Sequence, residues 1–220
     1  MRSTGSFVRP LLAWHESNGR HQLPWRDPDR SAFEILIAEI LLQRTTAASV
    51  AGAYLPIIAR FPSPEAAVAA RPEAIERRIA PLGLAKRAEF ICRSAERLLA
   101  RHSGDVPHRY EDLLGLHGVG AYTARSVLIH AFDEDIAAVD TNVRRLISRF
   151  FDVPPDSRAL ARFADALAPL SARERVPARD AGLRRRRLYR AHAEVRDVPA
   201  YRAVSEFREG GLHNRLMNQR

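Results

Sequence analysis

The sequence predicts an all-α fold. Apolar residues recur at three- and four-residue spacing through most of the chain, and helix-start signals precede several of those runs. No stretch alternates apolar and polar residues as a half-buried strand would. Phe7, Val8, Leu11, Leu12 and Trp14 form the first helical stripe, and Gly19 closes it. Leu23 to Arg30 is a proline-bearing loop. Ser31-Ala32-Phe33-Glu34 then reads as a capping box, with Ser31 as N-cap and Glu34 reaching back. The helix it starts, through about Gln43, is apolar almost all round and therefore predicted to be buried. Further helices are expected at about 46–60, 64–71, 73–80, 86–102, 110–115, 121–131 and 140–151, with a last clear one at about 157–169. Pro64 and Pro72 fall at first-turn positions.

The 220 residues suffice for one large domain or two small ones with a real core. No window approaches the apolar length of a membrane span, and the first residues lack a secretory leader's pattern. The expectation is a cytoplasmic, nucleoid-associated monomer. A single cysteine, Cys92, rules out an intrachain disulfide, and its place in a helical apolar pattern predicts a buried small hydrophobe. A net charge of +9 would ordinarily suggest a nucleic-acid partner. Its distribution weakens that inference: residues 173–220 hold 13 Arg against 6 acids, which leaves 22 basic against 20 acidic residues over 1–172. A nucleic-acid argument must rest on motifs.

The motifs are present. Leu116-His117-Gly118-Val119-Gly120-Ala121-Tyr122-Thr123-Ala124 reads as a tight glycine hairpin opening a helix. Gly118 and Gly120 can take φ > 0 and let a ligand approach the main chain. The hairpin N–H groups and the positive end of the helix dipole make an anion site. Val139-Asp140-Thr141-Asn142 then puts a carboxylate at the start of the next helix. A phosphate cradle followed about twenty residues later by an acid suggests chemistry beside a gripped nucleic-acid backbone. These segments resemble the helix-hairpin-helix DNA glycosylase superfamily, whose signature is L-P-G-V-G-x-x-T-A and then V/L-D-x-N/H-V-x-R. His117 stands where the family usually has proline. Leu23-Pro24-Trp25-Arg26 and Ile37-Ala38-Glu39-Ile40-Leu41-Leu42-Gln43-Arg44-Thr45-Thr46 extend the resemblance toward adenine-DNA glycosylases and thymine/guanine mismatch glycosylases. It covers roughly residues 7 to 170.

The resemblance implies two lobes with a DNA cleft between them. The expected division is a central helical domain over 25–136 that carries the hairpin, and a second domain from 1–24 plus 137–172. Related enzymes hold a [4Fe–4S] cluster on four cysteines spaced C-x6-C-x2-C-x5-C beyond that point, and this chain has no cysteine there, so the iron–sulfur loop reads as lost, with no cofactor and no metal ligands expected. A hidden register explains the loss. With 34 Arg against one Lys, the gene is expected to be GC-rich. Reading one nucleotide forward, a Leu or Val codon ending in TG becomes cysteine when the next codon starts with T or C. Leu188/Tyr189, Val195/Arg196, Val198/Pro199 and Val204/Ser205 satisfy that condition and reproduce the spacing. Residues 173–220 are therefore expected to be translated out of frame; the alternative is a basic, disordered DNA-binding tail. Sequencing the gene around codon 173 checks this: the shifted frame should hold four cysteine codons, and a frame without them overturns the expectation.

Within the resemblance, Asp140 is the carboxylate that stabilises an oxocarbenium-like sugar near C1′; an ordinary helix N-cap is the alternative. Asn142 supports Asp140 or contacts the DNA backbone. Glu39 lies among Ile35, Leu36 and Leu42, where a charged carboxyl is penalised, so its pKa should rise toward a proton donor's range. The adenine-removing enzymes use the matching glutamate to protonate the leaving base; a buried structural Glu is the alternative. Gln43 resembles a residue that wedges into the DNA stack at the extruded base. Gly118, Val119, Gly120 and Thr123 are the hairpin's DNA contacts, against the alternative of a plain helix-entry turn. Leu82-Gly83-Leu84-Ala85-Lys86-Arg87 resembles a second backbone-contacting turn, with Lys86 and Arg87 as phosphate partners.

Tyr122 discriminates within the family. Relatives that also cut the backbone carry a lysine there, whose amine forms a Schiff base with the sugar. Tyrosine cannot, so base removal without lyase activity is expected. Tyr122 and the run Leu41 to Ala47 resemble the thymine/guanine mismatch enzymes, which makes thymine or uracil opposite guanine in double-stranded DNA the first expectation. Adenine opposite 8-oxoguanine or guanine is the alternative, and the adenine enzymes' domain for reading 8-oxoguanine has no space in 220 residues. A DNA-binding module without activity, or a decayed gene product, are the competing readings. The first is disfavoured because backbone binding needs none of Glu39, Asp140 and Tyr122.

Overall fold

A computed structural model describes residues 5–83, 85–154 and 158–175. The described residues are helical, with no strand among them. They divide into two compact units, one spanning Arg20–Glu134, the other combining the chain up to Gly19 with the chain from Asp135 onward.

The larger unit is built on α2 (Ala32–Leu42), in which every residue from Ile35 to Leu41 is buried. The capping box forms as the sequence predicts: the Ser31 hydroxyl accepts from the Glu34 amide at 3.2 Å, and the Glu34 carboxylate accepts from the Ser31 amide at 2.8 Å. α3 (Ala47–Arg60) follows, capped by Thr46. Its Tyr54 donates to the Glu34 carbonyl at 3.0 Å and meets Trp25 edge-on at 5.6 Å. The two helices expected over 64–80 form one element, α4 (Pro64–Ile79), broken at Arg71, whose φ of 61° is non-helical. Pro72 disfavours the helical region for the residue before it, so the break falls where the sequence divides the run. α5 (Lys86–His102), α6 (Tyr110–Leu114) and α7 (Ala121–Phe132) complete the unit. α2 is packed by α3, α5 and α7, which explains its all-round apolar character.

The smaller unit joins α1 (Gly5–Asn18), α8 (Thr141–Phe151) and α9 (Arg158–Arg175). Val8 packs with Ile147, Phe151, Val153, Leu160, Phe163 and Leu167. Phe7 lies 4.9 Å from Phe150 and 5.2 Å from Phe151, and Phe151 meets Phe163 at 4.6 Å. The apolar stripe at the start of the sequence therefore closes on its far end, α1 against α9. α9 runs to Arg175, past the expected end at 169. Residues 176–220, which hold almost all of the expected frame change, lie outside the described residues. No helix among the described residues is long and apolar enough to cross a membrane.

Candidate functional site

In the larger unit, Glu39 sits on the seam between α2 and α7 and is 7% exposed. Burial pushes its carboxyl up from the usual carboxylate range to about 7, and a hydrogen bond from the Ser126 hydroxyl on α7 offsets part of that rise. Ser126 was not singled out from the sequence. Its only signal there is a small polar residue on the face of α7 that also buries Thr123 and Val127.

One turn along α2, the Gln43 side-chain amide donates to the Gly118 carbonyl at 2.7 Å and lies 3.4 Å from the Thr123 hydroxyl. The C-terminus of α2 is thereby fastened to the hairpin. In this conformation Gln43 is a latch, and wedging into a DNA stack requires that latch to open. Arg87 needs a correction. It is 1% exposed, and its guanidinium donates to the carbonyls of Leu41 at 3.0 Å and Gln43 at 2.6 Å and to the Thr45 hydroxyl. A side chain spent on three protein acceptors and closed to solvent is no phosphate partner. It clamps the turn in which Arg44 takes φ 55°. Lys86, its neighbour, is exposed at the start of α5; Leu84 of the same motif lies outside the described residues.

The hairpin itself is set by α5. Gly118 has φ +73°, and a Cβ there would lie 2.4 Å from the Phe90 ring. Glycine is thus required twice, by backbone conformation and by space. The Ser94 hydroxyl donates to the His117 carbonyl at 3.0 Å and holds the hairpin's entry. Gly120 departs from expectation: its φ is −94°, and a Cβ there would meet nothing within 4 Å. Its absent side chain leaves the approach to α7 open. Val119 is corrected too, because its side chain is buried and its amide is turned onto the Leu116 carbonyl at 3.3 Å. Thr123 is likewise buried, with its hydroxyl toward Gln43. α7 begins at Gly120 with no side-chain hydrogen bond from its cap residue, and helix N-termini of this kind are favourable places for anions. Tyr122 stands on that turn, 45% exposed.

In the smaller unit, Asp140 is the N-cap of α8. One carboxylate oxygen accepts from the Val143 amide at 2.7 Å, and the other lies 3.3 Å from the Asn142 side-chain amide. The capping role is real, and it fixes the carboxylate at a helix start with Asn142 beside it. The structure thus gathers Glu39, Gln43, Gly118 and Thr123 in one unit and Asp140 with Asn142 in the other.

An iron–sulfur cluster needs thiolate ligands, four of them in the common form. The sequence has one thiol, Cys92, which is buried against the Ala67 carbonyl at 3.8 Å and whose proton affinity burial pushes up to about 11. These residues do not fit the cluster. Among the described residues no group of His, Cys, Asp and Glu is arranged to hold a metal ion.

The chain is similar to several known DNA glycosylases. An adenine DNA glycosylase of Mycolicibacterium smegmatis is 37% identical over 160 residues, covering 73% of this chain and 54% of that protein. The chain thus spans about half the length of such relatives. A thymine/uracil-DNA glycosylase of Pyrobaculum aerophilum is 34% identical over 173 residues, covering 74% of each chain. Among solved structures, a thermostable thymine-DNA glycosylase superposes with a TM-score of 0.69 at 31% identity, covering 74% of this chain and 77% of that one. An endonuclease III bound non-covalently to DNA superposes with a TM-score of 0.61 at 26% identity, covering 80% and 79%. The family model for HhH-GPD superfamily base excision DNA repair proteins matches residues 37–169. With the match running from α2 into α9, through the glycine hairpin and the capped Asp140, the chain belongs to the HhH-GPD superfamily of base excision DNA repair proteins.

Proposed function

We propose that this protein is a monofunctional DNA glycosylase that hydrolyses the N-glycosidic bond of thymine or uracil opposite guanine in duplex DNA, acting as a monomer. The observation that carries the reading is Tyr122, half exposed on the first turn of α7 directly after the open hairpin. That position offers a phenol and no amine, so no Schiff base forms with the sugar and the strand stays intact. The uncapped amides of α7, with Lys86 on its own turn, hold backbone phosphates. Asp140, oriented by Val143 and Asn142, faces the positive charge that develops at C1′. The C1′–N bond breaks, the base leaves with a proton supplied by Glu39, and water adds to C1′ with loss of its own proton. Because the Glu39 carboxyl titrates at about 7, the protonated donor is depleted as pH rises through that value. Base release should therefore fall on the alkaline side.

One observation favours a second reading. The adenine DNA glycosylases of Mycobacterium tuberculosis are 38% identical over 170 residues, and a proton donor such as Glu39 suits a purine leaving group. Labelled duplexes carrying G·T, G·U or A·8-oxoguanine separate the two. Thymine or uracil release, with strand breaks appearing only after alkali, is the expected result. Breaks without alkali, or covalent trapping by borohydride, would sink the monofunctional assignment. Release of adenine alone would transfer the assignment to the second reading.

A further inference from the structure

α2 and α7 are joined along their seam by two polar contacts in antiparallel register. Gln43 at the end of α2 meets Gly118 and Thr123 at the start of α7. Four residues back along α2 is Glu39; three residues forward along α7 is Ser126. Those steps are about 6 Å and about 4.5 Å of helical rise, so the packing that brings Gln43 to Thr123 also brings Glu39 to Ser126. Both side chains are enclosed, Glu39 at 7% and Ser126 at 2% exposure. The neighbours on this stretch of α2 are Leu36, Ile37, Ala38, Ile40 and Leu41, all buried.

We propose that Ser126 is a positioning residue for Glu39: its hydroxyl donates to the carboxyl across the α2–α7 seam, fixes the direction in which that carboxyl points, and sets how firmly it holds its proton. The inference rests on the proposed glycosylase reading for the purpose of that proton, but not for the contact itself. A hydroxyl donating to a carboxylate favours the ionised form, whereas burial favours the neutral one. Burial is the larger influence and Ser126 the counterweight. Without the counterweight the group would be a poorer donor at neutral pH, because an acid is most useful when its proton affinity matches the working pH. The other ionisable groups on α7 are Tyr122, Arg125 and His130; the buried ones on the remaining packed helices are Arg87 and Cys92 on α5 and Tyr54 on α3. Arg87 is turned onto Leu41, Gln43 and Thr45, and Tyr54 onto the Glu34 carbonyl. The causes acting on Glu39 are burial and Ser126.

The test follows the Glu39 carboxyl directly, by carbon-13 NMR of glutamate-labelled full-length protein, with Glu39→Gln identifying the signal. In Ser126→Ala the titration midpoint should move up from about 7 by on the order of one pH unit, the size of one hydrogen bond to a charged group. Ser126→Thr, which keeps the hydroxyl, should restore it. The alkaline limb of single-turnover base release should move up with the midpoint in Ser126→Ala. In a Glu39→Gln background, Ser126→Ala should leave the pH profile unchanged. A midpoint that does not move in folded Ser126→Ala overturns the proposal. Full base release by Glu39→Gln would instead remove the donor role from the glycosylase reading, while the NMR midpoint would still decide what Ser126 does.

Discussion

Asp140→Asn is expected to slow base release by about 10²–10³-fold, about 3–4 kcal/mol of barrier, while leaving the melting temperature nearly unchanged. The two effects separate because the residue has two roles and asparagine can fill only one. As N-cap, Asp140 presents an oxygen to the Val143 amide at 2.7 Å, and asparagine caps helices about as well as aspartate does. As charge stabiliser it opposes a developing cation at the sugar, and a neutral amide cannot. Asp140→Ala should lose both, adding about 1 kcal/mol of destabilisation from the missing cap. Single-turnover kinetics on a G·T or G·U duplex, with thermal melts of the same preparations, supply both readings. If Asp140→Asn melted as early as Asp140→Ala and its rate fell only in proportion to unfolding, the side chain would be a cap and nothing more.

That separation also shows what a linear sequence can reveal. Features written within one turn of helix were legible: the Ser31–Glu34 box, the all-round apolar α2, the Pro72 break in α4 and the cap position of Asp140. So was the direction of the Glu39 shift, since neighbours at i±3 and i±4 already made its surroundings apolar. What escaped depends on pairings distant in sequence. Gln43 reaches Gly118 across 75 residues, and Arg87 reaches Leu41 across 46. In the run Lys86-Arg87-Ala88-Glu89 both basic residues read alike as phosphate partners, yet α5 turns one outward and buries the other. Ser126 is a small polar residue in an apolar helix until α2 is known to lie against it. The two hairpin glycines look equivalent in the sequence. The left-handed turn at Gly118 and the position of Phe90 on α5 together make that glycine obligatory, while Gly120 meets neither demand.

Arg87→Ala is expected to destabilise the protein by about 3–5 kcal/mol, lowering the melting temperature by on the order of 10 °C. The guanidinium is enclosed at 1% exposure and satisfies the Leu41 and Gln43 carbonyls and the Thr45 hydroxyl. Removing it strands acceptors in a site closed to water, each costing about 1–3 kcal/mol, and leaves a cavity where the side chain lay. Arg87→Lys should recover only part of the loss, because one ammonium cannot reproduce a planar fork aimed at separated acceptors. The turn released is the one carrying Gln43 and the left-handed Arg44, so folded Arg87→Ala should also place Gln43 less firmly on Gly118. A phosphate contact would behave in the opposite way. Its removal would leave the melting temperature alone, weaken duplex binding across sequences, and reduce the slope of log affinity against log salt by about 0.9. Thermal melts and a salt titration of duplex binding, run on wild type, Arg87→Ala and Lys86→Ala, distinguish these outcomes. The melting temperature should fall in Arg87→Ala and the salt slope should fall in Lys86→Ala. The reverse pattern would return Arg87 to the DNA-contacting surface and remove the clamp from this account of the fold.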